Sequence, residues 1–153
     1  MKGYDPQKAA QVWERVQGQK REPERQPGDE LPALIMAAQT AAMTFAQLAR
    51  QTSVKEAAVL QRLAREEQSH AACLKGMYIL MTGKKLEVRT PPVEKETRET
   101  ALRRCYGEQM RSMRACEARR EDGEYGHVFA RLAQQEREHC CALLELIGSL
   151  GKK

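Results

Sequence analysis

Two short stretches hold the residues of this chain best suited to chemistry. RLAREEQSH spans Arg62 to His70, and RLAQQEREH spans Arg131 to His139. Each sets a Glu and a His one helical turn apart, as Glu67 with His70 and Glu136 with His139. Glu67 and Glu136 are 69 positions apart (136 − 67), as are His70 and His139 (139 − 70). The common offset points to an internal duplication. At about 100° per residue, positions i and i+3 share one side of a helix. A carboxylate and an imidazole placed there can grip one hard or borderline metal from that side. A lone buried Glu is costly unless paired or ligated. Two Glu–His pairs in register, on two duplicated helices, favour metal ligation over a purely structural Glu–His network.

The elements that must carry these residues follow from the hydrophobic pattern. A short helix is expected over Asp5 to Gln17, with Pro6 in its first turn and Val12, Trp13 and Val16 on one apolar edge. The segment GQKREPERQPGDE then reads as a polar linker. Residues 1–28 therefore form a short helix with its linker, and residues 29–153 the main domain. A first long helix is expected from about Asp29 to Gln51, its apolar face running through Leu31, Leu34, Ile35, Ala38, Ala42, Phe45 and Ala49. The sequence SVKE at Ser53 to Glu56 has the form of a capping box. It opens a second helix that should stop at Gly83. The connection GKKLEVRTPPVEK is too long for a tight turn and suits a crossover. A third helix over Glu94 to Glu121, a turn at Asp122 to Gly126, and a fourth helix to about Ile147 complete the chain. The expected fold is all-α, a four-helix bundle with one long crossover between helices two and three.

On a helical wheel Glu67 and Glu136 fall near the middle of their apolar faces, and His70 and His139 lie at the edge. Composition agrees with a helical core: 41% hydrophobic residues, two Phe and one Trp leave Leu, Ala, Met and Ile to fill it. Met36, Met43, Met77, Met81, Met110 and Met113 read as packing residues. No apolar run approaches the roughly 20 residues of a membrane span. The start, MKGYDPQKAAQVWERV, lacks the apolar block of a signal peptide, so a cytoplasmic location is expected. The formal charge is +5. Acids interleave with the Arg-rich third helix, so a solvated mixed face outweighs a nucleic-acid surface. Five cysteines, an odd number without a C-x-x-C, exclude a disulfide framework and a zinc-ribbon or rubredoxin-type site. Cys140 and Cys141 are adjacent on a helix and should not bridge.

With its helix order, its crossover and two E-x-x-H motifs, the chain resembles the ferritin-like superfamily over about residues 29 to 150. Within it, the rubrerythrin-like di-iron carboxylate proteins are most similar. The resemblance implies that Glu67 and Glu136 bridge two irons, that His70 and His139 are terminal ligands, and that helices one and three each add a Glu. Here the sequence departs. The position seven residues before the inward Phe45 is Ala38, and no acid occurs from Leu31 to Gln51. The corresponding position on helix three is Gln109. Its neighbour Glu108 lies about 120° off the face centre, and only a π-bulge would turn it inward.

Two Glu and two His can hold one tetrahedral ion such as Zn²⁺, two metals weakly, or none. Iron is the expected cofactor, with zinc, manganese and a metal-free site as alternatives. The leading reading is a rubrerythrin-like metal-binding protein concerned with iron or peroxide, possessing weak or no peroxidase or ferroxidase turnover. The alternative is a non-catalytic helical-bundle scaffold with a structural or vestigial Glu/His site. A relative of the ferritin-like hydroxylases of tRNA or quinones has only basic charge in its support. The Val12–Trp13–Val16 edge could cap the bundle or pack against a second copy of the chain, so a homodimer is one of two open readings. Neither a membrane nor a nucleic acid is expected, and the sequence names no electron donor.

Overall fold

The computed structural model describes residues 5–12 and 28–151. Residues 6–12 are helical. Asp5 caps this segment, its Oδ1 accepting from Gln7 N at 3.0 Å. Val12 is 58% exposed, while Trp13, Val16 and the polar linker lie outside the described residues.

Four long helices follow: α1 (Leu31–Ala49), α2 (Val54–Thr82), α3 (Arg98–Glu117) and α4 (Gly126–Ser149), with a short 3₁₀ turn (Gly123–Tyr125) before α4. No strand occurs among the described residues. α1 packs along α2 and α3 along α4. The expected all-α bundle with its long crossover is the observed architecture.

Several ends differ from the sequence expectation. α3 begins at Arg98, capped by Thr97, whose hydroxyl accepts from Thr100 N at 3.2 Å, so Glu94 to Glu96 belong to the crossover. Ser53 sits at the N-cap of α2 in extended geometry but makes no side-chain cap bond. The expected capping box is absent because the Glu56 carboxylate is used elsewhere. It pairs with Arg98 and accepts from Ser149 Oγ at 3.0 Å, joining the starts of α2 and α3 to the end of α4. Gly83 ends α2 as expected, in the left-handed conformation (φ 70°) that a side chain would disfavour.

The crossover is tied to the first helix pair by Gln39. With its amide nitrogen turned outward, Gln39 donates to Thr90 Oγ1 (3.0 Å) and Val88 O (3.1 Å), and its oxygen accepts from Lys75 Nζ (2.7 Å).

The core has two apolar clusters. One gathers Phe45 and Leu48 of α1, Leu60 and Leu63 of α2, Leu102 and Cys105 of α3, and Leu143 and Leu146 of α4. The other gathers Leu31, Leu34, Ile35, Leu74, Met77, Cys116, Phe129 and Leu132. Along every helix the chain passes from one cluster to the other. Between them lies a polar layer of Glu67, His70, Gln109, Glu136 and His139, all buried. Met77 alone of the expected packing methionines is fully in the core. Met36 and Met43 are 42% and 43% exposed on the outer side of α1.

α1 also corrects the expectation about membrane-length segments. Its 19 residues carry no charge and are long and apolar enough to cross a membrane by length and composition. Ten of those residues are nonetheless buried against the bundle, as a central core helix requires.

The corner between α3 and α4 is close-packed. A Cβ at Gly126 would stand 2.4 Å from the backbone oxygen of Arg120, whereas one at Gly76, within α2, would meet nothing within 4 Å. Gly126→Ala should therefore lower stability by about 1–3 kcal/mol. Gly76→Ala should raise it by roughly 0.5–1 kcal/mol through helix propensity. Urea denaturation midpoints of the two variants, moving in opposite directions, check this.

All five cysteines are free: Cys105, Cys116 and Cys140 are buried, Cys73 is half-buried and Cys141 is exposed. Burial pushes the Cys105 and Cys116 thiols up to about 12 and Cys140 up to about 11, so these three stay protonated and slow to react. A thiol reagent should find Cys141 first on the native protein and five thiols after denaturation without reductant. A count of three would reveal a disulfide.

Candidate metal centre

Because α2 and α4 each pass from one apolar cluster to the other, each must place the middle of its buried face in the polar layer. Glu67 and Glu136 occupy those middles, with His70 and His139 one turn further along. All four expected residues converge, each offering one ligand atom, and those atoms lie within 4.8 Å of one another. Glu67 and His139 are both only 1% exposed.

The pairing is crossed between helices. His70 Nδ1 donates to Glu136 Oε1 at 2.7 Å, and His139 Nδ1 donates to Glu67 Oε1 at 2.9 Å. Within its own helix His70 stands 3.6 Å from Glu67. The two imidazoles stack, with centroids 5.4 Å apart and planes inclined by 18°.

Each ring is also held from outside. His70 Nε2 donates to Gln135 Oε1 and His139 Nε2 donates to Glu66 Oε2, both at 2.6 Å. Glu66 and Gln135 are themselves related by the 69-residue offset (135 − 66). The sequence reading missed them, although they immediately precede the two site Glu residues in the repeat. Wheel reasoning looks for inward positions, and Glu66 sits at the rim, its side chain 37% exposed.

Gln109 is buried as expected, its Oε1 accepting from His139 Nδ1 at 3.1 Å. Glu108 is turned away and held by Arg104, whose NH1 donates at 3.1 Å. α3 is α-helical throughout, so no bulge brings Glu108 inward. On the α1 side Ala38 is buried and contributes only its methyl group. A cavity of ≈ 10 Å³ lies against Ala38, bounded also by Ser112, Cys116, Glu67, His70 and Glu136. Glu136 Oε2 is buried and makes no hydrogen bond.

The electrostatics reflect four buried titratable groups in contact. Burial would lower the His70 pKa, but the Glu136 and Glu67 carboxylates together raise it to about 10. His139 is likewise opposed by burial but raised by Glu67 and Glu66. Burial would raise Glu67, yet hydrogen bonds from His139 and His70 pull it down to about 2. Glu136 is raised to about 7, first by burial and then by the neighbouring charge of Glu67, which outweigh its bond to His70. The metal-free layer therefore holds ionised Glu67, protonated imidazoles and a Glu136 that keeps its proton well above the usual carboxylate range.

A comparison with protein-family models finds no match, and a comparison with curated proteins finds none. Among solved structures, the chain is similar to an uncharacterized conserved protein from Magnetospirillum magnetotacticum MS-1. The TM-score is 0.61 at 24% identity, covering 82% of this chain and 96% of that one. The two share an all-α helical-bundle fold. At that identity the likeness shows the fold alone, and the chemistry must be argued from this chain's own residues.

Those residues can hold a metal ion. Both Nδ1 atoms face the cluster centre while both Nε2–H groups are engaged outside it. This is how protein scaffolds orient ligating imidazoles. The unpartnered Glu136 Oε2 is a donor atom with lone pairs to spare. A tetrahedral ion with bonds of about 2.0–2.1 Å needs donor separations near ~3.3 Å. The two His–Glu pairs must open slightly and the more distant donors close. The set suits one ion better than two, since Ala38 adds no ligand and Gln109 adds no charge.

The pKa shifts give the metal-free protein a distinctive pH profile. For Glu136, raised from 4.5 to about 7, and His70, raised from 6.5 to about 10, the stabilisation is complete below the lower value and lost as pH rises through the higher one. For Glu67, lowered from 4.5 to about 2, it is present above 4.5 and lost as pH falls toward 2. Chelator-treated protein should therefore be most stable in mild acid and lose stability steadily towards alkaline pH. Urea midpoints across the range test this, and a midpoint that rises from mild acid to pH 9 would refute it.

Proposed function

We propose that the chain is a ferritin-like metal-binding protein. It carries one divalent ion at Glu67, His70, Glu136 and His139, with iron the leading occupant and iron or peroxide handling the associated role. The observation that carries this reading is the orientation of the two imidazoles. Each points Nδ1 at the cluster and is held at Nε2 by a residue placed by the same internal repeat. A purely structural network would not need both rings held from both sides.

Iron bound there would supply one-electron exchange between its ferrous and ferric states. The chain itself supplies two anionic oxygens, two neutral imidazoles and a largely apolar surround of Leu, Ala and Cys side chains. It supplies fewer anions than the four-carboxylate set its resemblance implies, so stabilisation of an oxidised pair is weak. Turnover as a peroxidase or ferroxidase should be low for the same reason.

A second reading, a scaffold with a zinc or metal-free site, is favoured by one observation. The layer already pairs each His with a Glu without any ion.

Elemental analysis of protein purified without chelator or added metal separates these. One iron per chain is expected; one zinc or none would favour the scaffold. Uptake should release about two protons per ion in mild alkali and approach three in mild acid, because both imidazoles must give up Nδ1–H and Glu136 its carboxyl proton, and affinity should rise with pH. Glu67→Gln or Glu136→Gln should abolish uptake, and Glu108→Ala should leave it unchanged. Ala38→Glu with Gln109→Glu should move iron stoichiometry towards two.

A further inference from the structure

The polar layer is built from a near-symmetric repeat, yet its two halves are not equally filled. Around His139 every position is engaged. Nδ1 donates to Glu67 and to Gln109, and Nε2 donates to the Glu66 carboxylate. Around His70 the outer partner is the neutral amide of Gln135, and no α1 side chain takes the part that Gln109 plays from α3. In its place are the Ala38 methyl and the cavity. The buried oxygen without a partner, Glu136 Oε2, belongs to this same half and to a residue that bounds the cavity.

We propose that the cavity under Ala38 is the seat of one exogenous ligand of the bound metal, a donor of a single heavy atom such as water or hydroxide. The inference rests on the metal reading above and deepens it: the ion is anchored by four side chains and keeps one exchangeable position on the His70 side. The size argument is direct. A cavity of ≈ 10 Å³ is about the room one water requires, so larger anions are excluded. The chemistry fits as well. The lining offers the Ser112 hydroxyl as a donor and Glu136 Oε2 as an acceptor, and a water placed between them finds partners for its lone pairs and its protons. Metal centres that exchange ligands keep an open position of this kind, whereas structural ones are closed.

The test loads the full-length protein with Mn(II) and records its electron paramagnetic resonance in ¹⁷O-enriched water. The same protein loaded with Co(II) is followed by visible absorption. The expected wild-type result is ¹⁷O broadening of the Mn(II) lines together with the weak d–d bands of a five-coordinate Co(II). Ala38→Leu fills the cavity. It should remove the broadening and strengthen the Co(II) bands several-fold as the ion becomes four-coordinate, with metal affinity changed by less than about threefold. Ala38→Val serves as the smaller replacement if the Leu variant loses its helical circular dichroism. Ala38→Gly should keep the broadening and newly admit azide.

Bound metal without ¹⁷O broadening in the wild type would overturn the proposal while leaving the metal reading intact. So would undiminished broadening in the folded Leu or Val variant. Loss of metal from both folded variants would also overturn it, since the cavity would then be the seat of the ion itself. A wild type that takes up neither Mn(II) nor Co(II) would remove the metal reading and this proposal together.

Discussion

Two carboxylates and two imidazoles sealed between apolar clusters must either neutralise one another or be neutralised by something bound. Removing one member of such a buried set leaves an uncompensated charge, which costs about 3–5 kcal/mol. The crossed exchange between α2 and α4, with His70 on Glu136 and His139 on Glu67, meets that constraint. It also dictates how the two helices lie. Each must bring its own turn of Glu and His opposite the other's, so register and rotation are both specified. The apolar clusters on either side supply the driving force for packing, but they would tolerate slippage that the polar layer does not.

The donor atoms that hold protons in this layer are the ones a metal ion would need. Without metal, the site holds itself together with imidazole N–H groups donated to carboxylates. A metal held here would take the place of those N–H groups, and the outer bonds to Glu66 and Gln135 would still orient the rings. The departures from the repeat carry the functional meaning. Glu66 against Gln135 gives one ring a charged outer partner and the other a neutral one. Gln109 against Ala38 fills one side and leaves the other open.

Most of the bundle was legible because a helix writes its buried face into the sequence at a fixed period. The four site residues were legible for the same reason and because duplication stated them twice. Gln109 over Glu108 was also decided correctly by the wheel, since α3 is regular. What misled was local chemistry with a competing long-range use. Ser53 and Glu56 have the spacing of a capping box, but Arg98 and Ser149, distant in sequence, claim the Glu56 carboxylate. Met36 and Met43 sit at helical spacing yet face outward, because periodicity does not say how wide a face its neighbours will cover. The charge-free span of α1 hid its own length from a reading that looked only for unbroken apolar residues.

By itself, the sequence determined the helix order, the need for a crossover, the inward direction of Glu67, His70, Glu136 and His139, and the lack of any acid on α1. These follow from residue identity and angular position along single helices. Tertiary structure alone decided which His meets which Glu, which ring nitrogen faces the centre, that Glu66 and Gln135 hold the rings from outside, and that the cavity lies on the His70 side. Those outcomes depend on distances between helices that no single helix encodes.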